Sequence, residues 1–329
     1  MEQTHARSAA GLGERELAEF YDDRYEGDYM SLQPPLEVRR VEELLHEVRR
    51  PVGSVLDFGC GRGGWIPVLE RVFPSAELTG IDISATAIER ARTDFPAHRF
   101  ERFDGERAPV DDGGVDMVFT YHVLEHVLHL EATAAEIARL LAPGGQACVI
   151  FPCGNPGSLE ERIVRLGGGG VDPERGRFFF EDPGHLRRMT SEGATALFEG
   201  EGLTLVRAWF ANHLWGAIHF LALVGPGVTG ELCRSDRASS PADRARLRAL
   251  RLGFLGLTPF VQAYSLSRLW DRVRRAGTAR ERLRWSGAAI AKLLALPVGA
   301  AVEGLARREW DRRRERPDGS AQYLLFEKR

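Results

Sequence analysis

Val55-Leu56-Asp57-Phe58-Gly59-Cys60-Gly61-Arg62-Gly63-Gly64 decides the fold. An apolar run carrying one acid reads as a buried strand. It empties into a glycine-rich turn and then a helical pattern, an order that lets backbone N–H groups approach a ligand closely. Gly59, Gly61 and Gly64 fit GxGxxG, but that dinucleotide fingerprint is weak alone. Outward from it, apolar runs recur at Ser54–Phe58, Glu77–Asp82, His98–Phe103, Val115–Tyr121, Gln146–Phe151 and Leu203–Phe210. Helical patterns lie between them near Gly64–Val72, Ala85–Asp94 and Ala132–Leu141, and Pro143-Gly144-Gly145 is expected to stop the last. Strands alternating with crossover helices predict a doubly wound, seven-stranded, mostly parallel α/β sheet. The seventh strand is assigned to Gln322–Phe326, after a helical insertion; the alternative is Ala217–Val224, with a peripheral tail.

Composition bounds the rest. The 329 residues, 43% of them hydrophobic and with a net charge of −3, suffice for one large core and are not those of a disordered chain. Met1 to Arg15 is polar, which predicts no secretory signal. Cys60, Cys148, Cys153 and Cys233 lack metal-ligand spacing and read as reduced thiols, so a cytoplasmic protein is expected. No cleanly apolar 18-residue stretch predicts an ordinary membrane span. Charge is unevenly spread: Glu231 to Pro317 holds 20 basic and 9 acidic residues, a net of +11, leaving −14 elsewhere. Four regions follow: lid helices in 1–50, a core in 51–210 with a substrate cap in 153–189, a basic helical insertion in 211–317, and a final strand in 318–329.

Three acids discriminate among cofactors. Asp57 precedes the first glycine by two residues, where a carboxylate can face a cationic ligand. Asp82 ends the second strand, placed to accept hydrogen bonds from ribose hydroxyls. Asp104, in Phe103-Asp104-Gly105, could take an exocyclic adenine amine. A nicotinamide cofactor explains the glycines and Asp82 but gives Asp104 no role.

With these residues together, Ser54 to about Pro152 resembles the core of class I S-adenosylmethionine-dependent methyltransferases of the small-molecule type. Leu-Asp-Phe-Gly-Cys-Gly, Gly-Ile-Asp-Ile-Ser, Asp-Gly, Val123-Leu124-Glu125-His126-Val127 and Leu-Ala-Pro-Gly-Gly follow in the family's order. The resemblance implies S-adenosylmethionine as cofactor, with Gly59 and Gly61 against the methionine moiety, Asp82 on the ribose, and Asp104 with Gly105 at the adenine. Cys60, Ile83 and Tyr121 belong to the same expected lining. The aromatic, acidic stretch Phe20–Tyr29 resembles the family's lid: Tyr25 or Tyr29 could close over the cofactor, and Arg40 or Arg39 could meet its carboxylate.

Methyl transfer to a hydroxyl or amine needs positioning and a general base. Tyr121 and His122 end the fourth strand and should face the reacting methyl; His185 is a second candidate base. No metal is expected. If His122–His129 were helical, His122, Glu125, His126 and His129 would share a face as ligands, and ubiquinone-pathway O-methyltransferases resemble this segment and can use a cation there. His126 reads instead as a buried, hydrogen-bonded residue at the strand–helix junction.

The insertion alternates apolar stretches (Leu214–Val228, Leu252–Leu266, Trp285–Ala306) with arginine clusters and nearby Trp270, Trp285 and Trp310. Interfacial membrane helices have that composition. The expected acceptor is therefore a small molecule, hydrophobic or lipid-linked, methylated at oxygen by an enzyme peripheral to the inner membrane surface. A monomer or homodimer is expected, and nucleic acid is disfavoured because long Leu/Ala/Val runs do not serve phosphate binding. The competing functions are a catalytically silent cofactor-binding scaffold, and a methyltransferase on a soluble natural product or sugar whose helices dimerise.

Overall fold

The structure is a computed structural model and describes residues 9–329 apart from 10, 28, 31–32, 50, 104, 106, 173–175 and 262–265. Side chains at 266–269, 271, 288, 291–292 and 294–295 are also outside the description. Two helices lead in, α1 (Glu14–Glu26) and α2 (Pro35–Leu45). The core runs β1 (Ser54–Phe58), α3 (Ile66–Val72), β2 (Glu77–Asp82), α4 (Ala85–Asp94), β3 (Arg99–Arg102), β4 (Val115–Tyr121), α5 (Leu130–Leu140) and β5 (Leu141–Pro152). Then come α6 (Leu159–Leu166), α7 (Ser191–Gly200) and β6 (Leu203–Ala211). Five helices follow: α8 (Trp215–Val224), α9 (Pro226–Leu232), α10 (Pro241–Val261), α11 (Leu266–Arg275) and α12 (Ala279–Arg313); β7 (Ala321–Lys328) ends the chain.

The strands order as β3-β2-β1-β4-β5-β7-β6, the first five parallel and β7 antiparallel to both neighbours. Both faces of the sheet are covered, which is why β1, β4 and β5 read as near-continuous apolar runs. One face buries Trp65, Leu69, Ile88, Phe119 and Trp310; the other buries Leu56, Val118, Ile137, Phe198 and Phe326. The chain order reverses between β1 and β4, and ligands of open α/β sheets bind beyond the strand ends at such a point.

The tail is the seventh strand, wedged between β5 and β6 with Tyr323, Leu324, Leu325 and Phe326 wholly buried. The alternative strand, Ala217–Val224, is helical, within α8. Pro143–Gly145 does not precede the fifth strand but loops out of it: Leu141 pairs with Val115, and pairing resumes at Gln146 opposite Met117. Residues 122–129 form turns, not the helix on which four aligned metal ligands depended.

The cap and the basic insertion share one core. Ile163, Val164 and Phe178 from the cap pack with Leu221 of α8, Leu232 of α9, and Leu247 and Phe254 of α10. A carboxylate ties this unit back to the sheet. Leu214, at the start of α8, provides no side-chain cap; Glu309 of α12 accepts the backbone N–H groups of Leu214, Trp215 and Gly216 at 3.0, 2.8 and 3.0 Å. A buried acid thus satisfies donors that a helix start leaves open and meets the positive end of its dipole. Glu309→Ala leaves those three N–H groups without their acceptor. Urea unfolding is expected to register a loss of about 2–4 kcal/mol; a variant as stable as the parent removes the assigned role.

Candidate active site

The carboxyl ends of β1, β2 and β4 open into a cavity of about 1110 Å³, its open mouth included. Gly59, Cys60 and Gly61 form the floor, Asp82, Ile83 and Gly105 one side, and Tyr121 and His122 the other. The loop is shaped by conformations that favour glycine: φ is +78° at Gly59 and +52° at Gly61. Space is equally restrictive. A Cβ at Gly61 would lie 2.6 Å from the Tyr25 hydroxyl, and one at Gly59 2.3 Å from Val123 Cγ2.

Asp82 organises this end. Its Oδ2 accepts the Gly61 N–H at 2.8 Å and its Oδ1 the Ser84 N–H at 2.9 Å. Burial pushes its pKa up to about 6, against the lowering pull of those two N–H groups. Ser84 donates from Oγ to Asp22 of α1 at 2.5 Å, and its Oγ accepts the Ala87 N–H, capping α4. The lid helix, the glycine loop and α4 therefore meet at one carboxylate.

Asp57 is buried directly before the loop and does not itself line the cavity. Its Oδ2 has no hydrogen-bond partner, and burial, reinforced by Asp82, pushes its pKa up to about 8. A buried carboxyl left without a donor fits a loop designed to take a positively charged ligand group.

Tyr25 and Tyr29, expected at the lid, both line the cavity with rings 5.3 Å apart. The expected arginines do not line it. Arg40 is absent from the lining: it is buried between Glu37 and Asn212, with Nη1 3.0 Å from Asn212 Oδ1. Arg39 pairs with Glu43 and Asp311. Through Asn212 and Asp311 their guanidinium groups bind α2 to the rest of the protein. Asp104 lies outside the described residues; its neighbour Gly105 lines the cavity at φ +96°.

His122 sits on the opposite wall with φ +56°, a left-handed backbone unusual for a non-glycine residue and common at functional sites. Its Nδ1 lies 2.6 Å from Oε1 of Glu125. Burial disfavours the imidazolium, but Glu125 outweighs it and raises the His122 pKa. Glu125 is itself buried; desolvation pushes it up, yet His122 and the neighbouring histidines hold it down to about 2. Tyr121 lines the same wall, but burial and Glu37 raise its phenol well above 10, which makes it a poor proton acceptor.

His185 is a correction: it does not line the cavity. It packs behind His126, rings 4.8 Å apart, with Nδ1 3.3 Å from Glu181 Oε2. His126 is the buried junction residue expected, its Nδ1 within 2.7 Å of the Tyr21 hydroxyl and 2.9 Å of the Gly184 carbonyl. Burial lowers its pKa to about 4, so it is neutral near pH 7. Among the described residues, the cluster with metal-ligand geometry is Glu125, His126 and His185, within 4.8 Å of one another; His122 and His129 are not in it.

Several contributors were not foreseen. Arg24 of the lid clamps Asp182 of the cap through two 2.6 Å bonds. Arg187 donates to the carbonyls of Leu124 and Val127 at 2.9 and 2.5 Å, fixing the turn that carries Glu125. The Trp65 ring lies tilted against Tyr121, with centroids 4.6 Å apart. No local sequence signal marks these contacts, which join residues far apart in the chain; the three-residue spacing of His122 and Glu125 serves a turn as readily as a helix.

A family of methyltransferase domains matches residues 31–208, more than half of the chain. A phthiotriol/phenolphthiotriol dimycocerosates methyltransferase of Mycobacterium tuberculosis is 32% identical over 146 residues, 41% of this chain and 53% of that protein. A trans-aconitate 2-methyltransferase of Paracidovorax citrulli is 34% identical over 116 residues, 35% of this chain and 45% of that protein. The chain spans about half, or less, of the length of the curated relatives it matches. Among solved structures, a geranyl diphosphate methyltransferase in complex with GPP and sinefungin aligns over 99% of this chain and 85% of its own, at 15% identity and a TM-score of 0.43. By its matched domain, which covers more than half of its length, the chain belongs to this family of methyltransferase domains.

Proposed function

We propose that this protein binds S-adenosylmethionine in the glycine-floored cavity and methylates a hydroxyl group of an apolar small molecule. One observation carries the reading: the Gly59–Gly61 loop and Asp82 share a single cavity with His122, whose imidazole is backed by a buried carboxylate. When bound, S-adenosylmethionine supplies an electrophilic methyl group on a sulfonium sulfur.

The chain supplies the rest. Asp82 accepts from ribose hydroxyls while keeping the loop folded through Gly61, and Asp57 offers a compensating negative charge beneath the loop. Phe58, Phe103 and Leu128 give the cavity apolar walls, which favour an apolar acceptor. His122 takes the hydroxyl proton at Nε2, because Nδ1 is engaged by Glu125. Glu125 stabilises the imidazolium that results and holds the ring in place, while the Arg24–Asp182 clamp keeps lid and cap together over the site.

His122→Asn keeps a side chain that tolerates φ +56°, so the loop is retained while the base is lost. The expected result is a ~10²–10⁴-fold fall in kcat with cofactor affinity unchanged; unaltered kcat for a hydroxyl acceptor removes His122 from the role. Glu125→Gln withdraws the charge that raises the His122 pKa. The acid limb of kcat/KM is therefore expected to move to lower pH, with a lower plateau; an unmoved limb contradicts the pairing.

Asp57 supports a second pH test. A carboxyl with a pKa near 8 is largely protonated at pH 7 and must ionise to compensate a cationic ligand. S-adenosylmethionine affinity is expected to rise between pH 6 and 8. Its calorimetric binding enthalpy should depend on the ionisation enthalpy of the buffer, as proton release demands. Equal enthalpies in phosphate and Tris, or the same behaviour in Asp57→Asn, count against Asp57 as that group.

A further inference from the structure

We propose that the surface formed by α11 and α12 docks on an anionic lipid bilayer. Apart from Met30 and Val171, every large hydrophobic side chain exposed among the described residues lies between Leu214 and Val298. On α12, Leu283 is 76% exposed, Ile290 57% and Leu293 49%, while Trp270 on α11 is 51% exposed. From Trp285 to Val302 the only charged residue is Lys292. Clustered exposure of this kind is rare on a soluble surface that meets only water.

Charge identifies the occupant. Seven arginines and two acids lie between Leu266 and Arg284. Arg272, Arg274, Arg275, Arg280, Arg282 and Arg284 are exposed, and none pairs with a carboxylate among the described residues. By contrast, Arg24, Arg139 and Arg188 each hold acids. Arg272 and Arg284 instead lie over the Trp285 ring, 4.7 and 5.0 Å from its centre. Apolar side chains that enter hydrocarbon, a tryptophan at the boundary and free cations at headgroup level are what an interfacial helix presents. A second copy fits less well, because the same surface on both subunits would bring seven arginines per copy against only two acids. A nucleic acid would neutralise the arginines but leave Leu283, Ile290 and Leu293 in water.

The placement gives docking a purpose. The helices leave the sheet at Ala211, the carboxyl end of β6, and return at Ala321, which pairs with both Ala211 and Pro152. That edge of the sheet also carries Asp82 and Tyr121. α10 packs on the cap through Leu247, Phe254 and Phe178, so the helical unit reaches the segment that holds Asp182 and His185. If the acceptor is apolar, as proposed above, docking delivers it to the edge where the cavity opens; the surface itself is tested without reference to activity.

The test is co-sedimentation of the full chain with phosphatidylglycerol/phosphatidylcholine vesicles, with pure phosphatidylcholine vesicles as control. Binding is expected on the anionic vesicles at low salt, at least ~tenfold weaker on the neutral ones, and weakened at least ~tenfold by Leu283→Asp with Ile290→Asp. Both positions are exposed, so the thermal midpoint and S-adenosylmethionine affinity of that variant should match the parent; this separates failure of docking from failure of the cofactor assignment. No binding to anionic vesicles overturns the proposal, as does equal binding by parent and variant. A parent dimer that the variant dissociates, without vesicle binding, assigns the face to a second copy. RNA binding that survives the substitutions, with no vesicle binding, assigns it to nucleic acid.

Discussion

The structure around the site depends on one buried carboxylate. Asp82 is carried to the end of β2 by an apolar strand and cannot be solvated there, so its charge must be met by donors at fixed positions. The donors are the N–H groups of Gly61 and Ser84. The first fixes the path of the glycine loop, and the second fixes the entry to α4. Ser84 then passes the constraint to Asp22 and hence to the lid. A ligand held by Asp82 and the loop consequently meets a floor, a wall and a cover already tied together.

The opposite wall follows different physics. Half-buried His122 and buried Glu125 form an ion-pair-capable couple on a turn with no regular hydrogen-bond ladder of its own. Its rigidity is borrowed: Arg187 occupies the turn's free carbonyls, and the Leu186 N–H donates to the Glu125 carbonyl at 2.7 Å. That wall is therefore as well ordered as the cap that supplies those donors. The cap is in turn held by the Arg24–Asp182 clamp and by Arg188, buried between Glu160 and Glu181. Breaking a buried pair of this kind leaves an uncompensated charge, so the cap resists opening as a unit with the lid.

What was readable in the sequence was set by local signals. The strand–glycine–helix segment, Asp82 before Ser84, and the bounds of β1, β2, β4 and α4 follow from periodicity and capping within a few residues. The seventh strand was legible because Tyr323–Phe326 is too apolar for a free tail. Arg40 and His185 were misplaced because their partners, Asn212 and Glu181, meet them only through tertiary packing. The His122–His129 segment was considered as a helix on spacing alone; Gly184 and Arg187, far along the chain, supply the contacts that hold it as turns. The shared core of cap and insertion was equally hidden, since its apolar residues come from helices separated by most of a domain.

The central claim is that the Asp82 loop binds an adenosyl cofactor, and calorimetric titration tests it most directly. S-adenosylmethionine and S-adenosylhomocysteine are expected to bind in the micromolar range and NAD(H) not at all. Asp82→Asn should weaken both adenosyl ligands at least ~tenfold, about 1.4 kcal/mol. Binding of NAD(H) in their place, or adenosyl binding indifferent to the substitution, contradicts the account.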